Sequence, residues 1–192
     1  MSRDAISFAI TVTCAWAVLC SNIANGTDEP KPVDRKQISE SLSLVSKYLT
    51  WDVAKEPPGE IAIKSSFAFA KLSDGLPRLS EADELRLEAI ALARKYSSVT
   101  DLMRPAPKGE KRDANYHHQA HAGLYFSWNI LQGTKVLREG LSLEEAVALL
   151  GSPTTIKGDA VEWYYRSEMH VNPCLRCMLS KGHIQSIKQI TR

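Results

Sequence analysis

The sequence predicts an α+β protein in which a helical N-terminal region is followed by a module of two helices and a three-stranded antiparallel sheet. Two patterns carry this prediction. Between residues 34 and 150 the apolar residues recur at the three- and four-residue spacing of amphipathic helices. Between residues 161 and 190 they alternate with polar residues, as in strands with one buried face. We expect the module to span residues 114–192.

The first residues have the pattern of an export signal. Residues 5–20 form an apolar run that follows Arg3 and precedes small polar residues. The run is shorter than the roughly 20 apolar residues of a membrane span, so an uncleaved anchor or a buried core helix is disfavoured. We therefore expect residues 1–24 to be a signal peptide and residues 25–33 a flexible leader. Lipid attachment at Cys20 is disfavoured, because Leu19 stands where a lipobox has a small residue.

The sequence predicts two capped helices in the N-terminal region, residues 34–113. Asp34 is placed to cap a helix that runs to Trp51, with Gln37 at the matching third position. Ser80 and Asp83 open another helix. The buried stripe of this second helix is expected to comprise Leu85, Ala89, Leu92 and Tyr96, widened by Leu87 and Ile90.

The segments between and after these helices are less regular. Residues 60–73 fit both a strand and a helix, but their alanines and the Asp74-Gly75 stop favour a helix. Residues 97–113 are predicted to form a loop, because the prolines at positions 105 and 107 exclude a regular helix there.

The module begins with a long helix, predicted from Asn115 to Leu137, and a short one, predicted from Leu143 to Leu150. Gly140 allows the chain to turn between them. Ser142 and Glu145 form a capping box at the start of the short helix. Gly151 and Pro153 end it, and Leu124, Trp128 and Leu131 of the long helix are expected to face the core.

Three strands are predicted after the short helix, over residues 161–166, 175–180 and 183–190, with a tight hairpin at Lys181-Gly182. Alternation places Trp163 and Tyr165 toward the helices and Tyr164 on the opposite face with Arg166. An exposed tyrosine beside an arginine is a common composition of protein contact surfaces. Together with Arg176 on the next strand, these two residues are the predicted partner-binding patch.

Composition excludes several function classes. The formal net charge is +2, from 24 basic and 22 acidic residues, which favours neither nucleic acid nor an anionic membrane as partner. The chain has no Gly-x-Ser-x-Gly nucleophile elbow and no glycine-rich phosphate loop. The paired carboxylates at 83–84 and 144–145 each begin a helix, where negative charge is stabilising. The sequence therefore predicts no cofactor and disfavours a small-molecule substrate.

Three histidines cluster near the start of the long helix. His117 and His121 are one helical turn apart, as two ligands of one metal would be. A metalloprotease motif has a glutamate directly after the first histidine, and His118 occupies that position here. A metal site is therefore the weaker interpretation, and the simpler one is that these side chains face solvent or form hydrogen bonds to the domain beside them.

Removal of the signal peptide would leave Cys174 and Cys177 as the only cysteines. In an extended strand their Cα atoms would lie about 10 Å apart and the side chains would point to opposite faces, so a disulfide requires a turn at Pro173-Cys174. A structural zinc site formed with His170 and His183 is a further alternative. A redox-active pair is disfavoured, because no helix follows to stabilise a thiolate.

The residues 138–153, with their capped helix and Leu150-Gly151-Ser152-Pro153 ending, followed by Glu162-Trp163-Tyr164-Tyr165, resemble the SmpA/OmlA (BamE-like) domain family. This resemblance implies two helices on a three-stranded sheet, in a non-enzymatic module of the cell envelope that contacts other proteins. Outer-membrane barrel assembly, or binding and inhibition of an enzyme in related folds, are examples of such roles. The chain departs from the family in lacking a lipobox at Cys20 and in carrying the helical region ahead of the module.

We therefore expect an exported, periplasmic or extracellular protein that binds an envelope protein through the predicted patch Tyr164, Arg166 and Arg176. No insertion into a membrane is expected after removal of the signal peptide. Two alternatives are a metal-dependent hydrolase that uses His117 and His121 and a secreted domain with a structural zinc or disulfide at Cys174 and Cys177.

Overall fold

A computed structural model of the protein describes residues 32–50, 59–103, 114–166 and 172–192. The described residues form six α-helices followed by a four-stranded antiparallel sheet, which confirms the predicted α+β class. The predicted signal peptide, most of the leader, the prolines at 105 and 107 and His170 lie outside the described residues.

The helices agree closely with the sequence patterns. They are α1 Arg35–Leu49, α2 Gly59–Gly75, α3 Glu84–Lys95, α4 Val99–Met103, α5 Ala114–Gly133 and α6 Leu143–Leu150, with a 3₁₀ turn at Leu76–Arg78. The ambiguous segment 60–73 is helical, as expected. The prediction of a loop over residues 97–113 is wrong at its start, because α4 forms one short helix there.

Side-chain caps begin three of these helices. The Asp34 carboxylate accepts a hydrogen bond from the Gln37 backbone N–H at the start of α1, and Asp83 accepts one from Leu85 at the start of α3. At α6 the capping box is complete: Ser142 accepts from the Glu145 N–H, and Glu145 accepts from the Ser142 N–H. Each cap satisfies a backbone donor that has no partner inside its helix.

The long helix α5 ends at Gly133, four residues before the predicted end at Leu137. Lys135 adopts a left-handed backbone conformation with φ of 61°, and the Leu137 N–H donates back to the Leu131 carbonyl over 2.8 Å. This bond satisfies a carbonyl at the helix end while burying the Leu137 side chain. The apolar periodicity continues past the helix because Leu137 still faces the core.

The sheet has the strand order β1-β2-β3-β4, with β1 Thr155–Lys157, β2 Ala160–Tyr164, β3 Pro173–Ser180 and β4 His183–Thr191. The predicted hairpin at Lys181-Gly182 joins β3 to β4, and both of its residues have positive φ. The prediction of three strands missed β1, whose three residues are too few to show alternation. It pairs with β2 across a turn at Gly158, which has a φ of 57°.

Helix α5 packs on one face of the sheet, which we call the inner face. The Gln189 amide of β4 donates to the side chains of Asn129 and Gln132 of α5, over 2.8 and 2.7 Å. Trp163 and Tyr165 are buried on this face, as predicted. The Trp163 indole N–H also donates to the Gly151 carbonyl over 2.9 Å, which ties the end of α6 to the middle of β2.

The start of α6 is attached to the β3–β4 hairpin. The Leu143 N–H donates to the Gly182 carbonyl over 3.0 Å, and the Ile184 N–H donates to the Leu141 carbonyl over 2.7 Å. These backbone bonds continue the sheet into the turn before α6. The short helix therefore fixes the position of the hairpin relative to α5.

The N-terminal helices form a layer against α5, with α1 on α2 and α3 on α5. Leu87, expected to widen the buried stripe of α3, is 51% exposed, whereas Arg86 beside it is only 8% exposed. The other residues predicted for this stripe are buried or packed against the core, so the prediction is wrong only at Leu87. Arg86 is buried because its guanidinium binds backbone carbonyls of the neighbouring 3₁₀ turn. Among the helices that the structure describes, none combines the length and the apolar character of a membrane span.

Candidate functional site

The sheet face opposite α5, which we call the outer face, carries most of the predicted patch. Strand register places Glu162, Arg176 and Lys188 in one row across β2, β3 and β4. The next row holds Tyr164, Cys174 and Ile190. Arg192 follows Ile190 on the same face and is held by two backbone hydrogen bonds of 2.9 Å with Asn172.

Tyr164 differs from its prediction. The sequence predicted an exposed ring, but the residue is 7% exposed, so that prediction is wrong. Two arginines cover it: the guanidinium carbons of Arg192 and Arg166 lie 4.9 and 5.6 Å from the ring centroid. Such contacts between a cation and an aromatic face are attractive, so the arginines shield the ring from water.

The Tyr164 hydroxyl fixes its neighbours. It shares a hydrogen bond of 3.1 Å with the Thr155 hydroxyl and accepts another of 3.1 Å from the Arg166 guanidinium. These two hydrogen bonds lower the pKa of Tyr164, with the charges of Arg166 and Arg192 adding to the effect. The guanidinium of Arg166 is therefore held in a defined direction even though the residue is exposed.

Glu162 is a buried carboxylate at the centre of the outer face, with 4% of the residue exposed. Arg176 Nε donates to one carboxylate oxygen over 2.7 Å, and Arg192 Nη2 forms an ion pair with the other at 2.6 Å. Burial alone would raise the pKa of Glu162. The hydrogen bond from Arg176 and the charges of both arginines outweigh this and hold the pKa below its ordinary value of 4.5.

Replacing this carboxylate is expected to give a pH-dependent loss of stability. We expect Glu162→Gln to lower the free energy of unfolding by about 1–2 kcal/mol at neutral pH, since it removes two charge-assisted contacts to partly exposed arginines. Because the folded pKa lies below the unfolded one, the contribution is present above pH 4.5 and is lost as the pH falls through the folded pKa. Urea unfolding of both proteins at several pH values measures this difference.

The exposed Glu139→Gln variant is the matched control, and its stability should equal that of the unmodified protein at each pH. Titration of Glu145, whose pKa is lowered by hydrogen bonds from Ser142, occurs in all three proteins and cancels in the differences. A stability gap for Glu162→Gln that does not narrow in acid would contradict the assigned role of the ion pairs.

The outer face is strongly cationic. Among its described residues five positive side chains surround the single carboxylate of Glu162; they are Lys157, Arg166, Arg176, Lys188 and Arg192. The side chains of Arg176 and Arg192 are 40% and 38% exposed, so each can contact a ligand while bound to Glu162. The chain as a whole has a net charge of only +2, which means that this face concentrates positive charge.

His117 and His121 lie against the sheet on the inner side. The Tyr165 hydroxyl is 2.8 Å from His117 Nδ1, and the His121 ring meets the Tyr165 ring edge-on with centroids 5.3 Å apart. The two histidines therefore share a helix face, and both contact the same tyrosine. Within the described ranges, no three His, Cys, Asp or Glu side chains are grouped as a metal site requires.

Cys174 and Cys177 are both buried and free. β3 begins at Pro173, so the turn that a disulfide between them would need is not formed. Burial raises the pKa of Cys177 to about 12, and burial followed by the charge of Glu162 raises the pKa of Cys174. Both thiols are therefore protonated at neutral pH and are poor nucleophiles.

The other candidates around these cysteines are not brought together in the described residues. His183 lies exposed at the β3–β4 hairpin, and His170 falls outside those residues. Sequence reasoning missed Glu162 and Arg192 as parts of the outer face. Alternation did place Glu162 on the side of Tyr164, but only the register of β2 with β3 brings it opposite Arg176.

Comparisons of the chain with protein-family models, with characterised proteins and with solved structures find no match.

Proposed function

We propose that this protein is an exported, non-enzymatic binding module whose outer sheet face docks an acidic segment of a partner protein. The concentration of five cationic side chains around one carboxylate is the observation that carries this proposal. Complementary charge attracts such a segment and selects against basic partners.

The arginines are held in fixed orientations, which indicates a binding surface rather than a region of unordered surface charge. Arg166 is oriented by the Tyr164 hydroxyl, and Arg176 and Arg192 are oriented by Glu162. Side chains that are already held in place lose less conformational entropy when a ligand binds. Arginine can also bind a carboxylate through two parallel hydrogen bonds, which adds directional specificity.

A protein segment suits this face better than nucleic acid does. Met178 is 38% exposed and Ile190 half-buried on the same face, so apolar contacts lie among the charges. Mixed apolar and arginine surfaces are typical of protein interfaces. A net charge of +2 for the whole chain is small for a protein that binds nucleic acid.

Export and an envelope partner rest on sequence patterns alone. The apolar run at residues 5–20 supports export, and the resemblance of residues 138–153 to the SmpA/OmlA domain supports a partner in the cell envelope. Both stay predictions. Mass spectrometry of the mature N-terminus tests the first, because cleavage near Ala24 is the expected result.

Binding can be tested with a fluorescein-labelled, glutamate-rich peptide and a matched peptide in which glutamine replaces glutamate. Only the acidic peptide should bind, and more weakly as salt rises. In Lys157→Gln/Lys188→Gln, which removes two exposed cations of the outer face, the Kd should rise about fivefold, as expected for two surface charge contacts.

The matched control is Lys36→Gln/Lys47→Gln, which removes the same charge from exposed positions on α1. Its Kd should equal that of the unmodified protein, and both double variants should unfold at nearly the same urea concentration. An equal rise in Kd for the two variants would mean that only net charge matters, and the proposed docking face would be wrong.

A further inference from the structure

A groove adjoins the outer face at the end of β2. It lies between α4, the turn that follows α6, and Arg166, and its volume is about 440 Å³. Met103 and Pro153 provide apolar surface, Val99 beside them is buried, and Arg166 stands at the edge that the groove shares with the outer face. The groove thus combines apolar surface with one positive charge.

Within the part of the chain that the structure describes, Arg166 is available to an anion. Its guanidinium donates to the Tyr164 hydroxyl, and no carboxylate among the described residues forms an ion pair with it. The remaining N–H groups of its planar fork suit a carboxylate. Because Tyr164 is itself held by Thr155, the guanidinium is braced from the sheet side.

Some hydroxyl groups of the groove form hydrogen bonds within the protein, and one is available to a ligand. Thr154 Oγ1 donates to the Tyr164 carbonyl and accepts from the Tyr164 N–H, both at 3.1 Å, so it is used by the fold. Thr100 donates to the Ser152 carbonyl over 3.2 Å, which joins α4 to the turn after α6. The Ser152 side chain is exposed and makes no such bond in the described part of the chain, so it can donate to a ligand.

We infer that this groove anchors a carboxylate and the apolar side chain next to it, both belonging to the partner's acidic segment. One guanidinium matches one carboxylate, whereas a phosphate group would call for a denser set of positive charges. Met103 and Pro153 offer apolar surface to the adjacent side chain of the segment. The inference rests on the proposed function, since the groove shares Arg166 with the outer face.

The test uses N-acetyl-leucine, which carries a carboxylate and an apolar side chain, and its uncharged amide. In protein labelled with ¹³C at the methionine methyl groups, two methionines of the described residues serve as reporters: Met103 lines the groove, and Met178 lies on the outer face. We expect the Met103 signal to shift progressively as N-acetyl-leucine is added and to shift far less with the amide. The Met178 signal should stay unchanged with both. In Arg166→Gln the affinity for N-acetyl-leucine should fall about tenfold.

Lys47→Gln is the control, since it removes one positive charge from an exposed position on α1, away from both the groove and the outer face, and it should leave the Met103 titration unchanged. Equal shifts with acid and amide, or an unchanged affinity in Arg166→Gln, would overturn the carboxylate assignment. A response of Met178 alone would overturn the groove as the site. Failure of the proposed function is seen separately, as a glutamate-rich peptide that binds the Lys157→Gln/Lys188→Gln variant as well as the unmodified protein.

Discussion

Trp163→Ala is expected to lower the free energy of unfolding by about 3–5 kcal/mol, which is a large part of the stability of a typical domain. The indole is fully buried on the inner face of the sheet, so truncation leaves a cavity between β2 and the helices. The variant also loses the hydrogen bond from the indole N–H to the Gly151 carbonyl. Urea unfolding followed by far-ultraviolet circular dichroism measures the change.

A second tryptophan separates the two contributions. Trp128 of α5 is also fully buried, but within the described residues its indole N–H has no hydrogen-bond partner. Trp163→Phe and Trp128→Phe remove the same atoms, and only the first removes a hydrogen bond. We expect Trp163→Phe to cost about 1 kcal/mol more than Trp128→Phe. Equal costs would mean that the bond to Gly151 adds nothing to stability.

Arg86→Met is expected to cost about 2–3 kcal/mol. Arg86 Nη2 donates to the Thr134 carbonyl, just beyond α5, over 2.8 Å, and Nη1 lies 3.5 Å from the carbonyls of Leu76 and Leu79. No carboxylate in the described ranges pairs with it, so backbone dipoles balance the buried charge. Methionine fills similar space but leaves the Thr134 carbonyl without this donor.

Arg94→Met is the matched control, because Arg94 is exposed near the end of the same helix. Its cost should stay below about 0.5 kcal/mol. Arg86→Lys should fall between the two, since one ammonium cannot reach both the Thr134 carbonyl and the 3₁₀ turn. If Arg86→Met unfolded at the same urea concentration as the unmodified protein, the prediction would be wrong. The free-energy cost of burying the guanidinium would then equal the stabilisation from its hydrogen bonds.

The outer face was predicted in composition but not in arrangement. Alternation correctly placed Tyr164 and Arg166 on the face opposite the core residues Trp163 and Tyr165. It could not show that Tyr164 is covered, because Arg192 reaches the ring from the far end of β4. The patch that was predicted to expose a tyrosine therefore exposes arginines, and the tyrosine ring lies beneath them.

Local sequence patterns were enough to predict the features that depend on neighbours a few residues apart. The caps at Asp34 and Ser142, the stop at Gly151 and the hairpin at Lys181-Gly182 were all predicted at their observed positions, because each needs only a local hydrogen bond or a positive φ. These local rules also separated the helical region from the sheet.

Which distant side chains meet could be seen only in the folded protein. The carboxylate of Glu162 acquires Arg176 from β3 and Arg192 from beyond β4, and Arg86 finds its acceptor beyond the end of α5. These contacts depend on strand register and helix packing, which are set by the burial of apolar surface across the whole chain. The periodicity of a single segment carries no information about its partner.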